Sequence, residues 1–133
     1  MSDLAVGLTG QTAWTVEDSM TAAKIGSGLV AVFATPTLAA LLESAAVAAL
    51  EGQLEEGYTS VGTHIDVYHL AATPVGMTVR ATATLTAVDG RKLTFDIAAW
   101  DEVEQIGKAV HERIIVEQNR FAAKTAQKQL GSR

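Results

Sequence analysis

The sequence contains no cysteine, which excludes a disulfide framework and any thiolate metal site and points to a reducing compartment, so a cytoplasmic protein is expected. Basic residues are also scarce. Ten lysines and arginines stand against fifteen aspartates and glutamates, a formal net charge of −5. The few cations are not clustered as a reader of a phosphate backbone requires, so nucleic acid is not expected as a partner. Long hydrophobic runs are missing. The longest apolar stretch, around Leu38 to Leu50, is interrupted by Glu43 and is too short for a bilayer, and no charged-then-apolar leader precedes the first polar segment. No membrane association is expected. Nor is there a Gly-rich phosphate loop, a nucleophile-elbow serine, a dinucleotide fingerprint or a His/Asp/Glu set at metal-ligand spacing, so neither a metal nor a resident cofactor is expected.

What the chain does have is apolar content in a legible pattern. At 133 residues and 48% hydrophobic, without repeats or linkers, it reads as one domain over residues 1–133. Residues 7–18 (GLTGQTAWTVED) alternate loosely and predict a first strand, and residues 22–33 (AAKIGSGLVAVF), with two glycines and no period, read as a loop or lid. TPTLAALLESAAVAALEG then predicts a helix. Thr35 is placed as N-cap, Pro36 at the first helical position and Gly52 at the stop. Its apolar residues spread around nearly the whole circumference, which predicts burial on every side.

Strands follow. From Thr59 to Ala71 the odd positions are the apolar ones, and from Met77 to Leu85 they are so again against threonine-rich even positions. Asp89-Gly90 is a hairpin signal, Leu93, Phe95 and Ile97 continue beyond it, and a turn near residues 102–105 leads into a strand from Ile106 to Gln118. Residues 120–130 read as a short polar helix. The order is strand, long helix, four strands: an α+β fold with an antiparallel sheet around a central helix. One small sheet cannot cover such a helix and its own edges, so a homodimer is expected.

Two inward polar residues stand out against this frame. Glu43 is the only ionisable group between Lys24 and Glu51, in the middle of the apolar helix. An unpartnered carboxylate in such surroundings is costly and usually responds with a raised pKa, as a general base or nucleophile working near neutral pH requires. Its structural alternative is a solvent-reaching side chain or a plain ion pair. His69 shares the odd face with Val61, Ile65 and Val67, toward the helix; alone it would be a core histidine satisfied by a carbonyl. His64 alternates to the polar face, and His111 lies in the last strand beside Glu112 and Arg113. Thr35 has a capping job already, yet its hydroxyl also stands where helix amides favour developing negative charge. About 12 Å of helix axis separates it from Glu43.

Three segments, VFATPTLAALLESA (32–45), SVGTHIDVYHLAATPVGMTV (60–79) and IGKAVHERIIVEQNRF (106–121), resemble the fluoroacetyl-CoA thioesterase group of hotdog-fold proteins. The resemblance implies a dimeric hotdog fold and hydrolysis of a small acyl-CoA to free acid and CoA, coenzyme A entering only as part of the substrate. It places the catalytic set on Thr35, Glu43 and His69 and substrate contacts on Gly62 and Arg113. Glu43 would act as base or nucleophile, His69 as proton shuttle, and amides near the helix start or Gly62 as oxyanion donors. In the fluoroacetate-specific enzyme aromatic residues ahead of the threonine close the pocket. Here GSGLVAVF is small and aliphatic apart from Phe33, which leaves a broader short-acyl or aryl-acyl range open. The rival readings are a non-catalytic acyl-CoA binding module on the same scaffold and, further off, a hydratase or dehydratase.

Overall fold

The computed structural model describes residues 4–130; the first and last three residues of the expected domain lie outside the described residues. The elements are β1 (Thr9–Thr15), a 3-10 turn (Asp18–Met20), α1 (Ala22–Ile25), α2 (Thr35–Ala49), β2 (Tyr58–His69), β3 (Thr78–Asp89), β4 (Lys92–Trp100), β5 (Gln105–Glu117) and α3 (Gln118–Leu130). The sheet is antiparallel throughout, in the order β1-β3-β4-β5-β2, so β1 and β2 are its edges. This is the α+β hotdog arrangement expected.

The alternation read from the sequence builds the inner face. Val79, Ala81, Ala83 and Leu85 on β3 and Leu93, Phe95, Ile97 and Ala99 on β4 meet Leu38, Leu41, Leu42, Ala45, Ala46 and Ala49 of α2 in one core. Small residues let the helix lie close. A Cβ on Gly10 of β1 would fall 2.6 Å from both the Ala45 carbonyl oxygen and the Ala49 Cα, and nearer still to the Ala49 amide, so strand and helix touch backbone to backbone. The β3–β4 turn uses Gly90 and Arg91, one residue later than the Asp-Gly signal implied, with Asp89 already paired to Lys92 and Gly90 at a φ of 61°.

Several local readings are corrected. Residues 22–25 of the expected loop form a helical turn, capped by the Thr21 hydroxyl accepting from the Lys24 amide and closed by Gly26 in the left-handed region. Helix α2 ends with Leu50 as its C-cap, before Gly52, which serves the following turn at a φ of 72°. Its N-cap is Ala34, making Thr35 the first helical residue. The helix is also not covered on every side. Pro36, Ala40 and Val47 are exposed and Glu43 is half-buried, and the spacing i, i+4, i+7, i+11 makes them one stripe. In a single protomer the sheet wraps the rest of the helix and leaves that stripe open beside the unpaired edge of β2.

The largest correction lies in β2. Its register against β5 shifts between Gly62 and His64, so Thr63 is an extra, bulged residue. The bulge exchanges the two faces. Ile65, Val67 and His69 point inward as read, but before the bulge the inward residues are Tyr58, Ser60 and Gly62, the register partners of Glu117, Ile115 and Arg113. Val61 does not share the face of His69.

Candidate functional site

The inward polar residues fall into two groups. The first sits where α2 begins. Because Ala34, with a φ of −79° and a ψ of 151°, occupies the cap position and offers no side-chain hydrogen bond, the Thr35 hydroxyl is free of capping duty. Thr35 Oγ1 lies 2.8 Å from Nδ1 of His69, the last residue of β2. Two further links fix this corner. The Phe33 amide donates to the Thr73 carbonyl at 2.9 Å, and the Thr73 hydroxyl, fully buried, donates to Asp101 at 2.9 Å. The chain on either side of Thr35 and His69 is thereby pinned to the β4–β5 turn.

The His69 ring is half-buried, and its Nε2 is inaccessible with no hydrogen-bond partner within the protomer. Burial pushes its pKa below the usual histidine value, with the Ala71 backbone acting the other way. The neutral imidazole therefore spends one nitrogen on Thr35 and keeps the other unused. Beside the pair is a hollow of about 410 Å³ walled by small and apolar residues, among them Ala22, Val32, Phe33, Ala71 and Ala72. Leu29, 98% exposed, stands out from the loop that forms its rim. An open hollow with a Thr–His pair in its wall and the positive end of a helix dipole at its floor can receive a small acyl group and stabilise a developing oxyanion.

The second group lies farther along the helix. Glu43 projects from the open stripe of α2, its side chain 39% exposed, so the enclosure expected from the sequence is absent in the single protomer. A Cβ on Gly62 would come within 2.8 Å of Glu43 Oε2, so the missing side chain is what makes room for the carboxylate. Oε2 is also 3.9 Å from Nε2 of His111. Arg113 closes the group. It is 7% exposed, and it donates from Nε to the Ser60 hydroxyl at 2.7 Å, from Nη2 to the Ser60 carbonyl at 3.0 Å and from Nη1 to His111 Nε2 at 3.0 Å. Burial lowers its pKa, against the pull of Glu43.

The protomer thus joins Thr35 to His69, and Glu43 to Gly62 and Arg113, but does not bring the two groups together. Seven positions of β2, one of them bulged, separate Gly62 from His69, roughly 20 Å of extended chain. His111 was left without a role in the sequence reading. The signal was available: Gly107, Ala109, His111, Arg113 and Ile115 share one parity of β5, and all are buried. A larger hollow of about 470 Å³ opens toward the helix C-terminus between Val47, Leu54 and Tyr58. It holds no Thr–His or Glu–His pair, whereas the smaller hollow at Thr35 holds the Thr35–His69 pair. Among the described residues no three His, Asp or Glu side chains converge as a metal site, and no helix is long and apolar enough to cross a membrane.

Comparison with known proteins places this geometry. Residues 16–119 match the family model described as fluoroacetyl-CoA-specific thioesterase (FlK). The fluoroacetyl-CoA thioesterase of Streptantibioticus cattleyicolor is 46% identical over 97 residues, 73% of this chain and 70% of that protein. A solved structure of the fluoroacetyl-CoA thioesterase FlK superposes with a TM-score of 0.89 at 37% identity, covering 95% of this chain and 98% of that one. A thioesterase superfamily member from Thermus thermophilus superposes equally well, TM-score 0.89, at 25% identity over 97% of this chain and 96% of that one. The chain belongs to the fluoroacetyl-CoA-specific thioesterase family of hotdog proteins.

Proposed function

We propose that the protein is an acyl-CoA thioesterase that hydrolyses a small acyl-CoA to the free acid and CoA with Thr35, His69 and Glu43, and that it works as a homodimer in the cytoplasm. The observation that carries this reading is the 2.8 Å Thr35–His69 contact beside an open hollow, with the far nitrogen of the imidazole buried and unpartnered within the protomer. A buried orphan nitrogen in a neutral ring calls for a partner from outside the protomer. A carboxylate on an open helix stripe calls for a cover. One two-fold contact that brings Glu43 of one protomer toward His69 of its partner answers both.

In the reaction the thioester carbonyl lies at the start of α2, where the helix amides stabilise the oxyanion. Glu43 acts as general base or nucleophile and His69 carries the proton. The elements of water add across the acyl–sulfur bond: oxygen joins the acyl carbon, the C–S bond breaks and the proton ends on the CoA thiol. Gly62 and Arg113 border the carboxylate and contact the substrate. The aliphatic loop before Thr35, with Leu29 exposed and Phe33 buried in the core, favours a broader short-acyl or aryl-acyl range over strict fluoroacetyl selectivity.

Thiol release measured over a panel of acyl-CoA compounds tests the reading. Glu43→Ala and His69→Ala are each expected to lower kcat/KM by about a hundredfold or more. Unchanged turnover in both variants would overturn the assignment. A rise in melting temperature with acyl-CoA but no thiol release from any member would instead mark a binding module.

A further inference from the structure

Behind Glu43 lies a buried polar side chain that the catalytic set does not include. His111 is fully buried, and both of its ring nitrogens are engaged. Nδ1 is 2.7 Å from the carbonyl oxygen of His64, which can only accept, so Nδ1 carries a hydrogen. Nε2 is 3.0 Å from Nη1 of Arg113, which can only donate, so Nε2 presents its lone pair. Together the two contacts define one state, the neutral ring protonated on Nδ1. The 3.9 Å approach of Glu43 Oε2 to the same Nε2 is then no ion pair. Two acceptors face each other there, and the nearby positive charge belongs to Arg113.

Burial and Arg113 favour the neutral ring, and the His64 carbonyl and Glu43 oppose it. The titratable groups around the ring are Glu43 from α2, Arg113 on its own strand and His64 on β2, while the register partner on β4 is the apolar Phe95. Burial, the largest of these effects, leaves the imidazole's pKa below its ordinary value. A protonated ring would set a second cation against the guanidinium and remove its acceptor. An apolar residue in its place would leave Nη1 with a buried, unsatisfied donor. The geometry is also tight. A Cβ on Gly62 would meet Glu43 Oε2 at 2.8 Å, His111 Cε1 at 3.2 Å and Arg113 Nη1 at 3.4 Å, so all three close on the same methyl-sized space.

We propose that His111 is a positioning residue of the hydrolytic site, a neutral imidazole that accepts one Arg113 N–H and so fixes the guanidinium beside Gly62 and the Glu43 carboxylate. Its effect on turnover rests on the thioesterase reading; its tautomer and its hold on Arg113 do not. His111→Gln can place an amide oxygen near the Nε2 position and keep the acceptor. His111→Asn reaches only to the Nδ1 position, keeping the donor to His64 and losing the acceptor, and His111→Leu loses both.

Relative to wild type, kcat is expected to fall about tenfold to a hundredfold in the Asn and Leu variants, with KM changed less than about threefold and most of kcat retained in the Gln variant. If kcat merely tracks melting temperature across the three, with no advantage for Gln, the positioning role is wrong. Nitrogen-15 NMR of the wild-type ring supplies a readout independent of turnover. It is expected to show Nδ1–H and a bare Nε2 between about pH 7 and 8, and an Nε2–H or imidazolium signal in that range would overturn the proposal. Should the wild type release no thiol from any acyl-CoA, the thioesterase reading fails, while the NMR signal still decides the state of His111.

Discussion

The Thr35 hydroxyl shows how one residue can carry two readings that only a backbone angle separates. From sequence it is a helix cap; with Ala34 in that position, the hydroxyl is released to His69. The two roles predict different outcomes for Thr35→Val, which removes the hydroxyl at nearly constant volume. Loss of a cap would cost about 1 kcal/mol of stability. With the hydroxyl outside the cap, stability is expected to stay within about 0.5 kcal/mol of wild type, while acyl-CoA turnover falls about tenfold or more and Thr35→Ser restores it. Chemical denaturation and a thiol-release assay on the same variants check both halves. A second consequence concerns acid. His111, whose surroundings all lie within one protomer, has a pKa below the ordinary 6.5 in the folded protein, chiefly through burial. The unfolded chain therefore takes up a proton first, so stability is complete above about pH 6.5 and declines as the pH falls through the folded value. The Asp101 carboxyl, from an ordinary value of 3.8 and lowered further, titrates below that window. Urea midpoints measured from about pH 8 down to 5 should fall on the acid side, and His111→Gln should flatten the slope. Glu43 and His69 were legible in the sequence because each breaks an apolar pattern. Their separate partners were not, because pairing between elements depends on register, which a one-residue bulge resets.

At the scale of the element, periodicity carried the inner faces of β3 and β4 and the body of α2, where burial on one side forces alternation or helical spacing. It failed where geometry departs from the ideal period. Thr63 reverses the faces of β2 without any compositional mark, and this puts Gly62, read at first as a polar-face residue, under Glu43. The helical turn at Ala22–Ile25 was hidden by its shortness and its glycine-rich continuation. Gly10 makes the sharpest test of element packing. A methyl group there would overlap the backbone of α2 at Ala45 and Ala49, where no side chain can swing aside. Gly10→Ala is expected to destabilise the fold by about 2 kcal/mol or more, read as a shift in urea midpoint. Its Cα partner on β3, Ala83, is itself fully buried beneath the helix, so strand and helix cannot simply move apart.

Two unfinished surfaces of the molecule lie side by side, the unpaired edge of the twelve-residue β2 and the stripe of Pro36, Ala40, Glu43 and Val47 on α2. His69 stands at the end of the first and Glu43 on the second. A homodimer was the expectation from the sequence, since a helix so apolar exceeds what one small sheet can cover; which protomer would supply each group was not legible, since it rests on distances across the chain. A site divided between protomers would have a consequence that a single-protomer site would not share. If Glu43 of one protomer serves His69 of its partner, the Glu43→Gln and His69→Ala variants are each inactive as homodimers but complementary when mixed. A heterodimer then contains one site with both substitutions and one with neither. Random reassociation of equal amounts makes half of the dimers mixed, each with one intact site of two, so about a quarter of wild-type turnover should return. A site contained within one protomer would be damaged in every chain present, and mixing would restore nothing. Unfolding the two variants together, refolding them and measuring thiol release decides between these arrangements, with dimer content checked by sedimentation. The recovered quarter also has a signature in concentration: diluted below the dimer's dissociation constant, turnover should fall as the dimers separate, because neither half of the site functions alone.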